Sequence, residues 1–437
     1  MTWAQRYRLR NTFKASMWVI PMAMGALGML FYRVVWEIDL WTRWGGLGYT
    51  PDGARAISGA ISSAMLTFIV FFLSLLFLAV QLAATQLTPR IITKVFNRPA
   101  GKTSLGIFVF TFVFSVGLQG RAVDPVPQLA VLTLIVLTMA CIGIFLFLIG
   151  YMASSLQPIS IVTRIAAEGL EAIDAIYSAH LTDPESAGGE KTSFRFAGPT
   201  ATICYRGRPG VIQAFDARGL VELAERKGCV MRLIPQVGRF VDGGEPLVHV
   251  YGGDETVRER ELRQYVAVGS ERTIEQDPAF AFRIIVDIAI RALSPAVNDP
   301  TTAVQCIDQI HRLLPIVGRK DLGDGMIRGR DGRLRLVFPT PDWEDFVRLG
   351  VSEIRMYGAG SMQVMRRLRA MLENLAEVLP AERHGFLSKQ MKLLNSELDR
   401  NFPFAEDRKS AGLPDFAGIG GVSVHEKPPK TKRGLER

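Results

Sequence analysis

The stretch ISGAISSAMLTFIVFFLSLLFLAVQLAATQLT, residues 57–88, decides the fold. It holds no charged residue and exceeds the roughly 20 helical residues that cross a hydrocarbon core of about 30 Å. Pro89 ends it, and as one helix it would be about 48 Å long at 1.5 Å per residue, enough to project beyond the bilayer. Its small and polar residues Gly59, Ser63, Thr67, Ser74, Gln81, Thr85 and Thr88 fall within an arc of about 80° at 100° per residue. The opposite surface, with Ile61, Phe68, Phe72, Leu75 and Leu82, suits lipid. Two readings of the stripe stay open. It is a face where small residues let another helix approach and hydroxyls bond across, or it lines a pore or groove.

Outward from this helix, residues 15–36, 103–120 and 126–152 are also long and apolar, which predicts a bundle of four transmembrane helices. Pro21 and the bulky Arg33-Val34-Val35-Trp36 flank replace the small-residue site of a cleaved signal peptide, so the first segment is expected to remain as an anchor. Ser104, Thr111 and Ser115 repeat the polar theme more weakly in the third. No ionisable residue lies mid-span, where proton-coupled carriers and pumps place them, and four helices enclose little volume, so any conduit needs an oligomer. Arg6, Arg8, Arg10 and Lys14 before the first segment, with Arg90, Lys94, Arg98 and Lys102 between the second and third, place both termini in the cytoplasm by the positive-inside rule.

Composition agrees with a membrane half and a soluble half. Of 437 residues only 21% are charged, below the about 25% of a soluble domain, and the mean hydropathy is +0.19. The net charge of +9 sits largely beside the apolar runs and in the tail at 427–437, where the lipid bilayer and its anionic headgroups are the simpler partner than nucleic acid. Four cysteines without metal spacing are expected to be reduced.

The soluble half is expected to be α+β. The membrane domain is placed at 1–158, a coupling helix and linker at 159–197, a small β-rich segment at 198–254, a helical domain at 255–404 and a disordered basic tail at 405–437. The last membrane helix is expected to run on through Gln157-Pro158. In the β-rich segment, Val237 to Leu247 looks like the turn of a barrel-sandwich hybrid, without the lysine motif of lipoyl and biotinyl carriers. Asp277-Pro278 and Asp299-Pro300 have the form of an N-cap followed by proline at the first helical position. Between those helices Ser294, Asn298, Asp299 and Thr301 are either the caps of a corner or holders of a phosphate or water. Arg366, Arg367 and Arg369 read as a solvated basic face. The five histidines are isolated, and no nucleotide loop, nucleophile elbow or metal set is present. Hence no cofactor, no metal and no catalytic residue is expected.

Four elements together resemble a known bacterial family. They are Gln86-Leu87-Thr88-Pro89-Arg90, the run from Leu105 to Phe112, Phe240-Val241-x-x-Gly244-x-Pro246-Leu247, and Asp287-Ile288-Ala289-x-Arg291-Ala292-Leu293-Ser294-Pro295 with Asn298-Asp299-Pro300. In this order, up to about residue 401, the chain resembles the predicted membrane proteins of domain-of-unknown-function family 2254. The resemblance implies a multi-pass inner-membrane protein of bacteria and supplies no reaction or ligand. The functional expectation is an oligomeric, channel-like protein with a cytoplasmic regulatory domain. The alternative is a membrane-anchored sensor or scaffold whose soluble part binds a ligand or protein, and an enzyme comes third.

Overall fold

The structure, a computed structural model, describes residues 1–42, 46, 48–86, 99–121, 126–155, 157–177, 198–253, 256–323 and 325–418. The chain divides into a helical unit, Leu9–Ser160, and a second unit made of Met1–Arg8 together with Ile161–Arg437. Helix α1 (Trp3–Ala15) begins in the second unit and ends in the first.

In the helical unit, α2 (Val19–Thr42), α3 (Pro51–Gln86), α4 (Pro99–Arg121) and α5 (Gln128–Ser155) contain four candidate spans: Val19–Thr42, Pro51–Leu82, Pro99–Gly120 and Gln128–Met152. Helix α4 is the central one. Half of its most apolar window is buried inside the protein, against 17–22% for the other three, which leaves their outer faces to lipid. The approach of α2 to α4 rests on glycines: a Cβ on Gly28 would stand 2.7 Å from the Phe110 carbonyl oxygen, and one on Gly117 2.9 Å from the Tyr32 ring. Buried Asp39 accepts from Leu129 N at 3.0 Å and Ala130 N at 3.4 Å, satisfying the orphan donors at the start of α5. Gln128 donates to the Tyr49 carbonyl at 2.9 Å and accepts from its N–H at 3.1 Å. Helix α5 ends at Ser155 and α6 (Pro158–Ile176) begins anew, so the expected continuous helix is interrupted; proline has no N–H to give the preceding turn and suits a first helical position.

The second unit is a mixed α/β structure. Its strands are β1 (Ala201–Cys204), β2 (Gly210–Phe215), β3 (Cys229–Leu233), β4 (Phe240–Val241), β5 (Pro246–Gly252), β6 (Val266–Gly269), β7 (Gly325–Arg328) and β8 (Leu334–Phe338). They form a five-stranded sheet, β1-β5-β3-β8-β7, and a three-stranded sheet, β4-β2-β6. Both are open and no closed barrel exists among the described residues, so the barrel-like expectation is not supported. One reason is that the sheets draw three strands from outside 198–254: β6 pairs with β2, and β8 lies parallel to β3, with Met231 opposite Leu336. The basic loop before residue 335 contributes the β7–β8 hairpin. Helix α7 (Ala217–Arg226), N-capped by Asp216, covers Met231, Leu233, Val248 and Leu336 with Leu220 and Leu223. A one-turn helix α8 (Glu259–Leu262) follows β5.

The helices α9 (Pro278–Ala292), α10 (Pro300–Gly318), α11 (Trp343–Tyr357), α12 (Met362–Val378) and α13 (His384–Asn401) follow, and Phe282 of α9 and Phe346 of α11 meet with their rings 5.2 Å apart. Asp277 accepts from Phe280 N at 3.1 Å and Asp299 from Thr302 N at 3.0 Å, as the Asp-Pro pattern predicts. The disorder expected from residue 405 does not hold for 405–418. Ala405–Ala411 is a helix, α14, and the segment after it is bound to α12, as described below; the remainder of the tail lies outside the described residues.

Candidate functional site

The described part of the stripe on α3 lies largely away from the bundle core, although a Cβ on Gly59 would stand 3.3 Å from Gln119 Nε2 of α4. Ser63, Thr67, Ser74 and Gln81 are exposed and Gly59 half-buried. Of Thr85 only its place in the helix is described, and Thr88 lies outside the described residues. Of the surface expected to face lipid, Leu82 is exposed but Phe72 is fully buried beside Leu105 and Leu148, and Phe68 stacks on Phe145 with ring centres 4.6 Å apart. Large apolar side chains fill the gaps between helices and bury more area per residue, and they outweigh the small residues in choosing the packed face. The exposed hydroxyls turn back on their own helix: Ser63 donates to the Gly59 carbonyl at 3.1 Å, Thr67 to Ser63 at 2.9 Å and Ser74 to Val70 at 2.9 Å. Each donor is thereby satisfied without a neighbour.

The weaker polar set on α4 behaves differently. Ser104, Thr111 and Ser115 are all buried; Thr111 donates to Ile107 O at 3.0 Å and lies 3.3 Å from Cys141 Sγ. Ser115 shares a hydrogen bond of 2.7 Å with Ser62 on the inner face of α3. Ser62, unlike Ser63, is thus a packing residue, and the two are separated only by the 100° that one helical position turns.

The corner between α9 and α10 is occupied by its own capping. Ser294 Oγ donates to the Arg291 carbonyl at 2.7 Å, Asp299 N reaches Ala292 O at 2.8 Å, and Asp299 Oδ2 accepts from Thr302 Oγ at 2.5 Å. Asn298 holds a positive φ of 48°, which asparagine tolerates better than most residues. Thr301 is exposed.

Sequence reading missed a cluster on α12. Arg366 and Arg367, expected to be solvated, are buried. Arg366 donates from Nε to Leu413 O at 3.2 Å. Arg367 donates to Asp308 Oδ1 at 2.5 Å, to Asp415 O at 3.3 Å and to His311 Nδ1 at 3.3 Å. Because a guanidinium only donates, Nδ1 must accept, so His311 carries its proton on Nε2 and donates to Asn374 Oδ1 at 2.8 Å. Burial holds this imidazole below the ordinary histidine value, and the Arg367 charge adds to the effect. The missed signal was the Leu413 to Asp415 backbone, whose carbonyls supply partners that no side-chain pattern announces. His249 stands beside Tyr251 and His384 bonds the Leu379 carbonyl, while His180 and His425 lie outside the described residues. Among the described residues no group of three or more His, Cys, Asp or Glu side chains converges as a metal site would require.

The family described as predicted membrane proteins of DUF2254 matches residues 14–374. The chain belongs to the DUF2254 family. Uncharacterized proteins of Mycobacterium bovis and Mycobacterium tuberculosis are similar to it, each 27% identical over 423 residues that cover 92% of this chain and 80% of the relative. No solved structure matches. As a DUF2254 protein it is a predicted membrane protein, and its four apolar helices fit that placement.

Proposed function

We propose that this DUF2254 protein is a homo-oligomer of the bacterial inner membrane, with both termini in the cytoplasm. In it the α3 stripes of neighbouring copies face one another and line a path for a small solute, and the second unit regulates that path. It does so without catalysing a reaction. One observation carries this reading: Ser63, Thr67, Ser74 and Gln81 are exposed on α3, among Leu66, Val70, Phe71 and Phe77, while Met65, Phe72 and Leu76 of the same helix are buried in its own bundle. A helix meeting only lipid gains nothing from such a stripe, and a helix meeting a copy of itself gains close packing or a polar wall. The internally satisfied hydroxyls favour a second reading, in which the stripe is a plain helix contact or lipid face and the protein is an anchored sensor or scaffold.

The particle mass in nanodiscs, with its symmetry by imaging, separates the two. Three or more copies with α3 toward the axis support a conduit, and a monomer removes it. Thr67→Leu and Ser74→Leu then test the wall: solute flux from loaded vesicles is expected to fall at least tenfold with oligomer mass unchanged. Unchanged flux with intact assembly, or lost assembly, gives the stripe to packing.

A further inference from the structure

The segment that follows α14 is held on α12 by a guanidinium that also grips a titratable ring. Asp415 is fully buried. Its N–H donates to the Arg366 carbonyl at 3.2 Å, and its Oδ1 accepts from Ala417 N at 3.1 Å and Gly418 N at 2.9 Å. Arg366 reaches back to the Leu413 carbonyl and Arg367 to that of Asp415. The apolar side chains on either side, Leu413 and Phe416, are 42% and 55% exposed, so polar bonds rather than apolar burial carry much of the attachment. The segment ends over α10: a Cβ on Gly418 would stand 3.5 Å from Val304 Cγ1.

The Arg367 guanidinium directs its other N–H groups to Asp308 of α10 and to His311 Nδ1. The second of these bonds exists only while Nδ1 carries a lone pair. A proton taken from solvent there turns an acceptor into a donor aimed at a donor, and sets a second positive charge 3.3 Å from the first. Asp308 stands three residues before His311, on the same face of α10, and its side chain is 39% exposed, so its carboxylate is able to turn to an imidazolium. The charged ring then competes with Arg367 for Asp308. Burial holds the ring toward its neutral form, the bond to Asn374 opposes that, Arg367 adds to it and Asp308 opposes it. Other charges on the helices around α10 have partners elsewhere: Arg283 of α9 has Asp287 and Glu353, Arg355 of α11 has Glu397, and Asp174 of α6 has Lys320. Arg312, next to the ring in sequence, is exposed.

We propose that protonation of His311 releases residues 413–418 from α12, which makes the segment a pH-controlled cover over Arg366, Arg367 and Val304. The bistable element is the guanidinium of Arg367. With a neutral ring it has three acceptors and holds the Asp415 carbonyl; with a charged ring it loses one acceptor, shares another and is repelled. The inference lies wholly within the second unit and stands whether or not the α3 stripe lines a path.

The test is hydrogen exchange of the full chain in nanodiscs at pH ~7.5 and ~5.5, each rate divided by that of an unstructured peptide at the same pH. Protection of the amides in 413–418 is expected to fall about tenfold at the lower pH, the worth of one hydrogen bond to a charged group, while peptides from α10 and α12 keep theirs. His311→Gln, whose amide accepts from Arg367 and donates to Asn374 at either pH, should hold the segment throughout. His311→Lys, charged at both, should release it already at the higher pH. Equal protection of 413–418 at the two pH values overturns the proposal. So does a fall that persists in His311→Gln, which assigns it to the Asp415 carboxylate, and so does loss of protection in α10 and α12 together with the segment. Should His311→Gln not fold, His311→Lys decides alone, and a segment still protected at the higher pH refutes the release.

Discussion

His311 shows how a single side chain ties the soluble unit to pH. Its imidazole is held toward the neutral form because burial opposes a charge there and the Arg367 guanidinium beside Nδ1 adds to the effect. The folded pKa is below the unfolded value, so the unfolded chain takes up the proton first as pH falls. This contribution to stability is complete above about 6.5 and is lost as pH drops from there toward the folded value. Thermal unfolding of the second unit should therefore show a midpoint that falls between pH ~7.5 and ~5.5, and His311→Gln, which keeps a donor for Asn374, should flatten that slope. A slope the same in both proteins would remove His311 as its source. The ion pair of Arg283 with Glu353 and Asp287 works in a lower pH range: Glu353 is held below its ordinary value by the hydrogen bonds from Arg283, so its contribution also fades with falling pH, but only in stronger acid.

At the level of elements, the close approach in the bundle belongs to α2 and α4, where Gly28 and Gly117 leave no room for a Cβ. Gly28→Leu must push against the Phe110 backbone, which cannot rotate away as a side chain can, and overpacking of this kind costs about 1–3 kcal/mol. Its expected signature is a lower midpoint in detergent and faster proteolysis of the loops; a Gly28→Leu protein as stable as the parent would mean α2 is held elsewhere. These glycines were in plain view in the sequence, yet the conspicuous stripe on α3 drew attention away from them. The spans themselves were legible because apolar length is a one-dimensional property. The Asp-Pro helix starts were legible because capping is local. Which face of α3 turns inward was not, since it depends on Phe145 and Leu148 from a helix far along the chain. Nor could any local pattern announce that β8 pairs with β3 across roughly a hundred residues, or that the carbonyls of Leu413 and Asp415 bury two arginines.

For the whole molecule, both ends of the described chain are structural parts of the second unit. Tyr7 stacks on Trp3 with centroids 5.2 Å apart and is buried against β2 and β6, and the segment to Gly418 closes over α12. Tyr7→Ala should cost about 3–5 kcal/mol, as truncating a buried aromatic does, and should raise protease cleavage within residues 205–270. If cleavage there is unchanged, the N-terminal segment adds nothing to that fold. The packing of Tyr7 also sets a timetable. Its seat includes Ala267, which leaves the ribosome some two hundred and sixty residues after Tyr7 does. At about 5–20 residues per second the first residues wait on the order of 10–50 s for their berth to be synthesised. The hydrophobic spans are made during that interval, so the N-terminal segment spends the insertion phase undocked, open to chaperones and proteases, and takes its place among the last steps of biogenesis.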